Sequence, residues 1–328
     1  MKKYNKLMAF FIKSRHIFRE IIVFVLFILS IFNGWIVIFY SFIIFSFIYI
    51  INILKRKLPL DVEYKGEKKT YTYKENLKLD IWYPENINEI HPVILFSHGG
   101  GWISGFRNQP NNVSWCKYLA SNGFAVVSID YRFGFKNSMK EILKDYTDSL
   151  EFLKTNANKL KLDKRNIVLM GLSAGGHLAM LYAAHNSYIK DKEKMAGIKG
   201  VVSYYTPADL NDLFEKNVKS LFSKFAVTTT LKGSPQKIKG EYIYYSPISW
   251  INCNMVPVLL VHGKEDDVVP FESMLKVVKK LKEKNIKHEV LVHKNGGHTF
   301  EFYMNDYHTV KIVKKTVAFI RACFKDEN

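Results

Sequence analysis

Two hydrophobic patterns divide the chain near residue 57. Upstream, residues 21–54 read IIVFVLFILSIFNGWIVIFYSFIIFSFIYIINIL without one charged side chain. Downstream, apolar residues come in short bursts. Leu77, Leu79, Ile81 and Tyr83 alternate with polar neighbours, the period of a half-buried strand. Residues 92–97 (PVILFS), 124–130 (FAVVSID) and 167–171 (IVLMG) are continuous apolar runs of the length of buried strands. Further strands are predicted at 200–204, 257–262 and 288–293. Helices are predicted around 113–121 and 138–160, and a last one over 307–324. Strands alternating with helices predict a mostly parallel, doubly wound sheet with helices on both faces. Residues 58–328 read as one catalytic domain without internal repeats. After the strand at 200–204, Leu210, Leu213, Phe214, Val218, Leu221, Phe222 and Phe225 recur at helical spacing as one apolar stripe, with Asp209 able to cap its start. That stripe suits a helix packed on the sheet. It also suits a lid whose Lys216, Lys219 and Lys224 face anionic headgroups. The polar stretch 228–240 is expected to be a mobile loop.

The charge-free run makes residues 1–57 a basic flank and membrane anchor, with the apolar part at 21–54. One helix through all of it would be roughly 50 Å long, against a hydrocarbon core of about 30 Å. The alternatives are one steeply tilted span or a hairpin turning at Asn33-Gly34. The run is too long and too aromatic for a cleaved signal peptide. Lys2, Lys3, Lys6, Lys13, Arg15 and Arg19 precede it, and Lys55, Arg56 and Lys57 follow it. Basic residues on both sides favour an even number of crossings and a catalytic domain on the cytoplasmic side.

Composition adds a few limits. The chain has 328 residues, 48% of them hydrophobic, with 9 Pro and 18 Gly, which suits a packed core and excludes collagen-like or largely disordered chains. The net charge of +18 points to an anionic neighbour or to a Lys-rich surface without one. The basic residues are spread along the chain and form no nucleic-acid motif, so no nucleic-acid partner is expected. Cys116, Cys253 and Cys323 are odd in number and far apart; they suggest neither a disulfide framework nor a zinc site, and no metal is expected.

The chemistry lies in three glycine-rich places. Gly171-Leu172-Ser173-Ala174-Gly175 matches the G-x-S-x-G nucleophile elbow. That turn needs small residues because its serine sits on a strained bend between a strand and a helix. Here a predicted strand precedes the motif and a helical run, HLAMLYAAH, follows it. His98-Gly99-Gly100-Gly101-Trp102 ends an earlier strand, where glycine backbone can present N–H groups to a developing oxyanion. After the strand PVLLVH come Asp266 and Asp267, both candidate acids. After HEVLVH comes His298, on a glycine-flanked loop free to reach a serine. His262 and His293 fall on predicted strands and read as structural. Ser173, Asp266 and His298 follow one another in the chain order of an α/β-hydrolase triad.

Residues 77–325 resemble the esterase branch of the α/β-hydrolases that carries an HGGGW motif, including hormone-sensitive-lipase-like carboxylesterases and acetylesterases. Asp130-Tyr131-Arg132, GLSAGGH around Ser173, YSPI at 245–248 and HGKEDDVVP at 262–270 carry the likeness. The resemblance implies that the acid is Asp266, that the oxyanion donors are the N–H groups of Gly100, Gly101 and Ala174, and that His98 is structural. Isoprenylcysteine methylesterases and kynurenine formamidases look similar in the same motifs.

The expected activity is a membrane-anchored serine carboxylesterase acting on small or lipid-like esters, with no cofactor and with membrane lipid as its neighbour. His298 would take the Ser173 proton, and Asp266 would orient the imidazolium. The alternatives are a serine peptidase or amidase of the same fold, of prolyl-oligopeptidase or formamidase type, and a catalytically inactive membrane scaffold.

Overall fold

A computed structural model describes residues 21–29, 35–216 and 218–325. The chain forms two compact units, Met1–Lys55 and Arg56–Asn328. In the first, residues 21–29 form helix α1 and Trp35–Lys55 form helix α2. Most of their apolar side chains, Phe24, Phe39, Phe42 and Phe47 among them, are exposed. Over the residues whose side chains are described, no helix is long and apolar enough to cross a membrane. The membrane-crossing segment expected within 21–54 is therefore not found among the described residues, and its expected turn at Asn33-Gly34 lies outside them.

The second unit is built on one sheet. Among the described residues its strands are β1 (Lys68–Lys74), β2 (Leu77–Trp82), β3 (His91–Ser97), β4 (Ala125–Ile129), β5 (Leu162–Leu172), β6 (Ile198–Tyr204), β7 (Val258–Gly263) and β8 (His288–His293). Their order is β1-β2-β4-β3-β5-β6-β7-β8. The pairs β1/β2 and β2/β4 are antiparallel, and every later pair is parallel.

The continuous apolar runs are explained by burial on two faces. Val93, Leu95, Val127 and Leu169 pack toward helices α4 (Met139–Asn156) and α5 (Ala174–Tyr188). Ile94, Phe96, Val126, Val168 and Met170 pack toward α3 (Pro110–Ala120) and α10 (Tyr307–Cys323). A parallel strand covered on both sides has no polar face to alternate with. Helix α5 is itself buried almost all round, which holds the serine at its start in a rigid frame.

Four expectations change. Strand β1 was not expected: four lysines at 65, 68, 69 and 74 hide the alternation that carries Tyr71 and Tyr73 onto the core. Strand β2 is not half-buried, because β1 and β4 flank it and Asp80, Ile81 and Trp82 are all covered. The single stripe over 210–225 is two elements. Leu210–Phe214 is a 3-10 turn capped by Asp209, and α7 (Leu221–Leu231) starts afresh from Ser220, whose hydroxyl accepts from Ser223 N–H at 3.1 Å. Glu215 between them is extended, which breaks the helix. Leu210, Leu213 and Val218 are buried, whereas Leu221, Phe222 and Phe225 face out. The loop expected over 228–240 is shorter: α7 runs on to Leu231 because Val227 and Leu231 reach the core, residues 232–238 form the turn, and α8 (Lys239–Tyr244) begins at Lys239.

Candidate active site

Strand β5 runs straight into Ser173, which sits at φ 51° and ψ −115° before α5 begins at Ala174. A positive φ on a serine is strained, and the strain turns the hydroxyl out of the sheet edge. The flanking glycines make the bend possible. A Cβ on Gly171 would lie 2.2 Å from the Gly175 carbonyl carbon, and one on Gly175 would lie 2.1 Å from Ser97 O. The Ser173 N–H donates to Tyr204 O at 2.9 Å, tying the elbow to the end of β6.

His298 lies on the loop after β8, with Nε2 3.1 Å from Ser173 Oγ and Nδ1 2.8 Å from Asp266 Oδ2. With Nδ1 protonated, its N–H donates to Asp266, and Nε2 is left to accept from the serine hydroxyl. Asp266 is held on every side. Its Oδ1 accepts from the Val268 and Val269 N–H groups, each at 2.9 Å, and its Oδ2 also lies 3.3 Å from His262 Nε2. Burial pushes the Asp266 pKa up, but the charge on His298 and the hydrogen bonds from His262 and His298 outweigh it and hold the carboxyl well below the usual range. Burial pulls the His298 pKa down, yet the Asp266 charge and hydrogen bond, helped by Glu301 and Asp267, raise it above the ordinary value. Asp267 is exposed and, among the described residues, makes no hydrogen bond to His298.

The glycine loop after β3 lies against the elbow. A Cβ on Gly99 would sit 3.2 Å from Leu172 O and 3.5 Å from Ser173 Cβ. Gly100 and Gly101 have φ of 115° and 62°. The Gly100 carbonyl is engaged by Ile103 N–H and by the N–H and hydroxyl of Ser104, at 2.9–3.2 Å. Among the described residues nothing accepts from the N–H of Gly100 or Gly101. Ala174, as the first residue of α5, has an N–H with no partner inside the helix. His98 is buried behind this loop. Its ring stacks on Tyr131 at 4.2 Å, its Nδ1 lies 2.7 Å from Gly99 O, and Tyr131 donates to His98 O at 2.8 Å. Burial lowers its pKa to about 4, so it remains neutral.

The structure thus brings Ser173, His298 and Asp266 into one hydrogen-bonded line, with Gly99 and Ala174 beside the serine, and leaves Asp267 outside. Two participants escaped the sequence reading. His262, taken as a structural strand residue, touches the acid; the H-G-x-x-D spacing was the available signal. Tyr205, at φ 36°, has its ring 4.6 Å from that of His298. Phe222, which the sequence reading had placed in a packed helix or a lid, lies over Gly101, where an added Cβ would come within 3.0 Å of its ring and 2.8 Å of Ala226 Cβ.

The likeness to known proteins agrees with this geometry. Esterase LipC of Mycobacterium tuberculosis is 26% identical over 62% of this chain and 52% of its own length. A probable isoprenylcysteine alpha-carbonyl methylesterase, ICMEL1, of Arabidopsis thaliana is 24% identical over 70% of this chain and 49% of its own. The chain thus spans about half the length of these curated relatives. Among solved structures, Esterase B from Lactobacillus rhamnosis superposes with a TM-score of 0.70 at 20% identity, covering 86% of this chain and 93% of that one. A truncated carbohydrate esterase from gut microbiota gives 0.66 at 20% identity over 81% and 99%. These structural likenesses establish the α/β-hydrolase fold. The BD-FAE family profile matches residues 79–281, more than half of the sequence and all of the sheet from β3 to β7, and the chain belongs to that family.

Proposed function

We propose that the chain is a serine carboxylesterase that works through an acyl-enzyme on Ser173. The observation that carries this reading is the line Ser173 Oγ–His298 Nε2 at 3.1 Å and His298 Nδ1–Asp266 Oδ2 at 2.8 Å. The serine hydroxyl passes its proton to His298 as Oγ attacks the ester carbonyl carbon. The negative oxygen of the tetrahedral intermediate accepts from the N–H groups of Gly100, Gly101 and Ala174. His298 then returns the proton to the departing alkoxide, and the alcohol leaves. Water, giving a proton to His298, attacks the acyl carbon and releases the acid, restoring Ser173. Asp266 remains ionised throughout and stabilises the imidazolium. The names of the relatives favour an ester over a peptide bond as the target.

The finer reading is an enzyme attached to a membrane, with its catalytic unit on the cytoplasmic side and lipid-like esters among its substrates. Its support is the charge-free run at 21–54, the basic residues on both sides of it, and the outward-facing apolar side chains of α1 and α2. A fluorophosphonate probe should label the wild-type protein at Ser173 and leave Ser173→Ala unlabelled; labelling of the variant overturns the esterase reading. Carbonate washing should leave the full-length chain in the membrane pellet, and its release into the supernatant overturns the anchor.

A further inference from the structure

Three residues beyond His298 a second carboxyl is fully buried. Glu301 is 0% exposed and stands in a 3-10 turn, Phe300–Phe302, between two buried phenylalanines. Its Oε1 accepts a 2.6 Å hydrogen bond from the Tyr205 hydroxyl, and among the described residues its Oε2 has no hydrogen-bond partner. The side chains of Trp115, Tyr204 and Phe300 surround it in the core on the α10 face of the sheet. A carboxyl in such a place is costly in its charged form, and packing alone would favour an apolar residue of the same size. Of the side chains around it, Tyr205 leads back to the active site. Tyr205 follows β6 in a strained conformation, its N–H donates to Val261 O at 2.6 Å, and its ring lies 4.6 Å from the imidazole of His298.

We propose that Glu301, held by Tyr205, is a second buried acid acting on His298: a positioning residue whose charge stabilises the imidazolium and so sets the pH range of the reaction. The proposal rests on the esterase reading above. The groups that face His298 are few. Asp266 and Asp267 come from the loop between β7 and α9 (Phe271–Glu283), Glu301 from its own turn, and Tyr205 from the end of β6; His262 acts through Asp266. Around Glu301 stand Tyr205, Trp115 and His298. Burial raises the Glu301 pKa to about 7, while hydrogen bonds from Tyr205, from its own backbone N–H and from Trp115, and the charge on His298, draw it down. Tyr205 does not compete for the charge, because burial and the neighbouring Glu301 hold its phenol far above the usual range. The carboxyl therefore changes charge within the working range of a histidine base. When ionised it favours His298 protonated, which moves the loss of activity on the acid side to higher pH.

The test is the pH profile of kcat/KM on a short soluble ester with full-length Glu301→Gln. The acid limb should move to lower pH by on the order of one unit, with KM near the wild-type value. A Tyr205→Phe chain keeps the carboxyl but removes its donor, so Glu301 stays neutral to higher pH and the limb should move in the same direction. The double variant should add little to either single one. A Glu301→Gln protein that folds and superposes on the wild-type profile overturns the proposal. If Glu301→Gln does not fold, an unmoved profile in Tyr205→Phe overturns it instead. Failure of the esterase reading is separately visible, because Ser173→Ala would then retain activity.

Discussion

Two regions meet at Gly101, and they are built on opposite terms. On one side the triad hangs from strand ends, with every polar atom of Asp266 engaged and its side chain 0% exposed. On the other, α7 carries Leu221, Phe222 and Phe225 outward at 80%, 49% and 55% exposure, with Phe222 lying over the glycine loop. Phe135 joins them from the loop before α4, its ring 6.2 Å from that of Phe225. The first region is over-determined by hydrogen bonds and packing. The second is an apolar surface that nothing in the described chain covers. The contrast separates chemistry from recognition: substitutions in the first should strike every ester alike, and substitutions in the second should discriminate among esters.

The largest effect should come from Ser173→Ala. The loss in kcat should be on the order of 10⁴-fold or more for short and long esters alike. Circular dichroism and the melting temperature should stay near wild type, since among the described residues the hydroxyl bonds to His298 alone. Near-normal turnover would break the triad side of the comparison.

Next in size is the choice between neighbouring carboxylates. Asp266→Asn should cost about 10³- to 10⁴-fold, because an amide cannot hold the Nδ1–H tautomer of His298. Asp267→Asn should stay within a few-fold, since Asp267 is exposed and acts on His298 only through space. Equal losses measured side by side would mean that the wrong acid had been chosen.

A smaller effect is the placement of the acid limb. His298 must be neutral to accept the serine proton, and Asp266 raises its pKa. Activity should therefore fall as pH drops through a value above the ordinary histidine range of about 6.5. An acid limb centred well below that in kcat/KM would show that Asp266 does not stabilise the imidazolium in the free enzyme.

How much of this was legible depends on what each residue needed from its sequence neighbours. The strands were plain because a strand buried on both faces cannot avoid an apolar run, as in PVILFS and IVLMG. The elbow was plain because the close approach of Gly171 and Gly175 to the backbone leaves room for nothing larger. Asp266 could be told from Asp267 only by resemblance; its distinguishing property, two backbone N–H donors from Val268 and Val269, exists only in the folded loop. Tyr205 and Glu301 meet across 96 residues, and the single local sign was one acid inside Phe300-Glu301-Phe302. The stripe over 210–225 misled because periodicity does not register a break: Asp209 and Ser220 each cap their own element, and the phase carried across the extended Glu215 by coincidence.

The smallest effect, and the one that sharpens the comparison most, concerns Phe222. The sequence left it as either a core residue or part of a lid, and its half-exposed ring rules out deep burial. Its inner edge packs on Gly101, while its outer edge faces the same surface as Leu221 and Phe225. A Phe222→Asp substitution therefore removes little buried area, and the melting temperature should fall by no more than a few degrees. Short acyl groups end near the glycine loop, so acetate or propionate esters should lose only a few-fold. A longer chain that runs from the serine past Gly101 meets Phe222, and a carboxylate at that position would lie against it without a partner. Esters of eight carbons or more should then lose about tenfold or more in kcat/KM, chiefly through KM. Parallel kinetics on a graded series, run with thermal melts, separates the outcomes. A uniform loss across chain lengths with an intact melt would assign Phe222 to support of the oxyanion loop. A collapse of the melting temperature would make α7 part of the core and remove the distinction between the two regions.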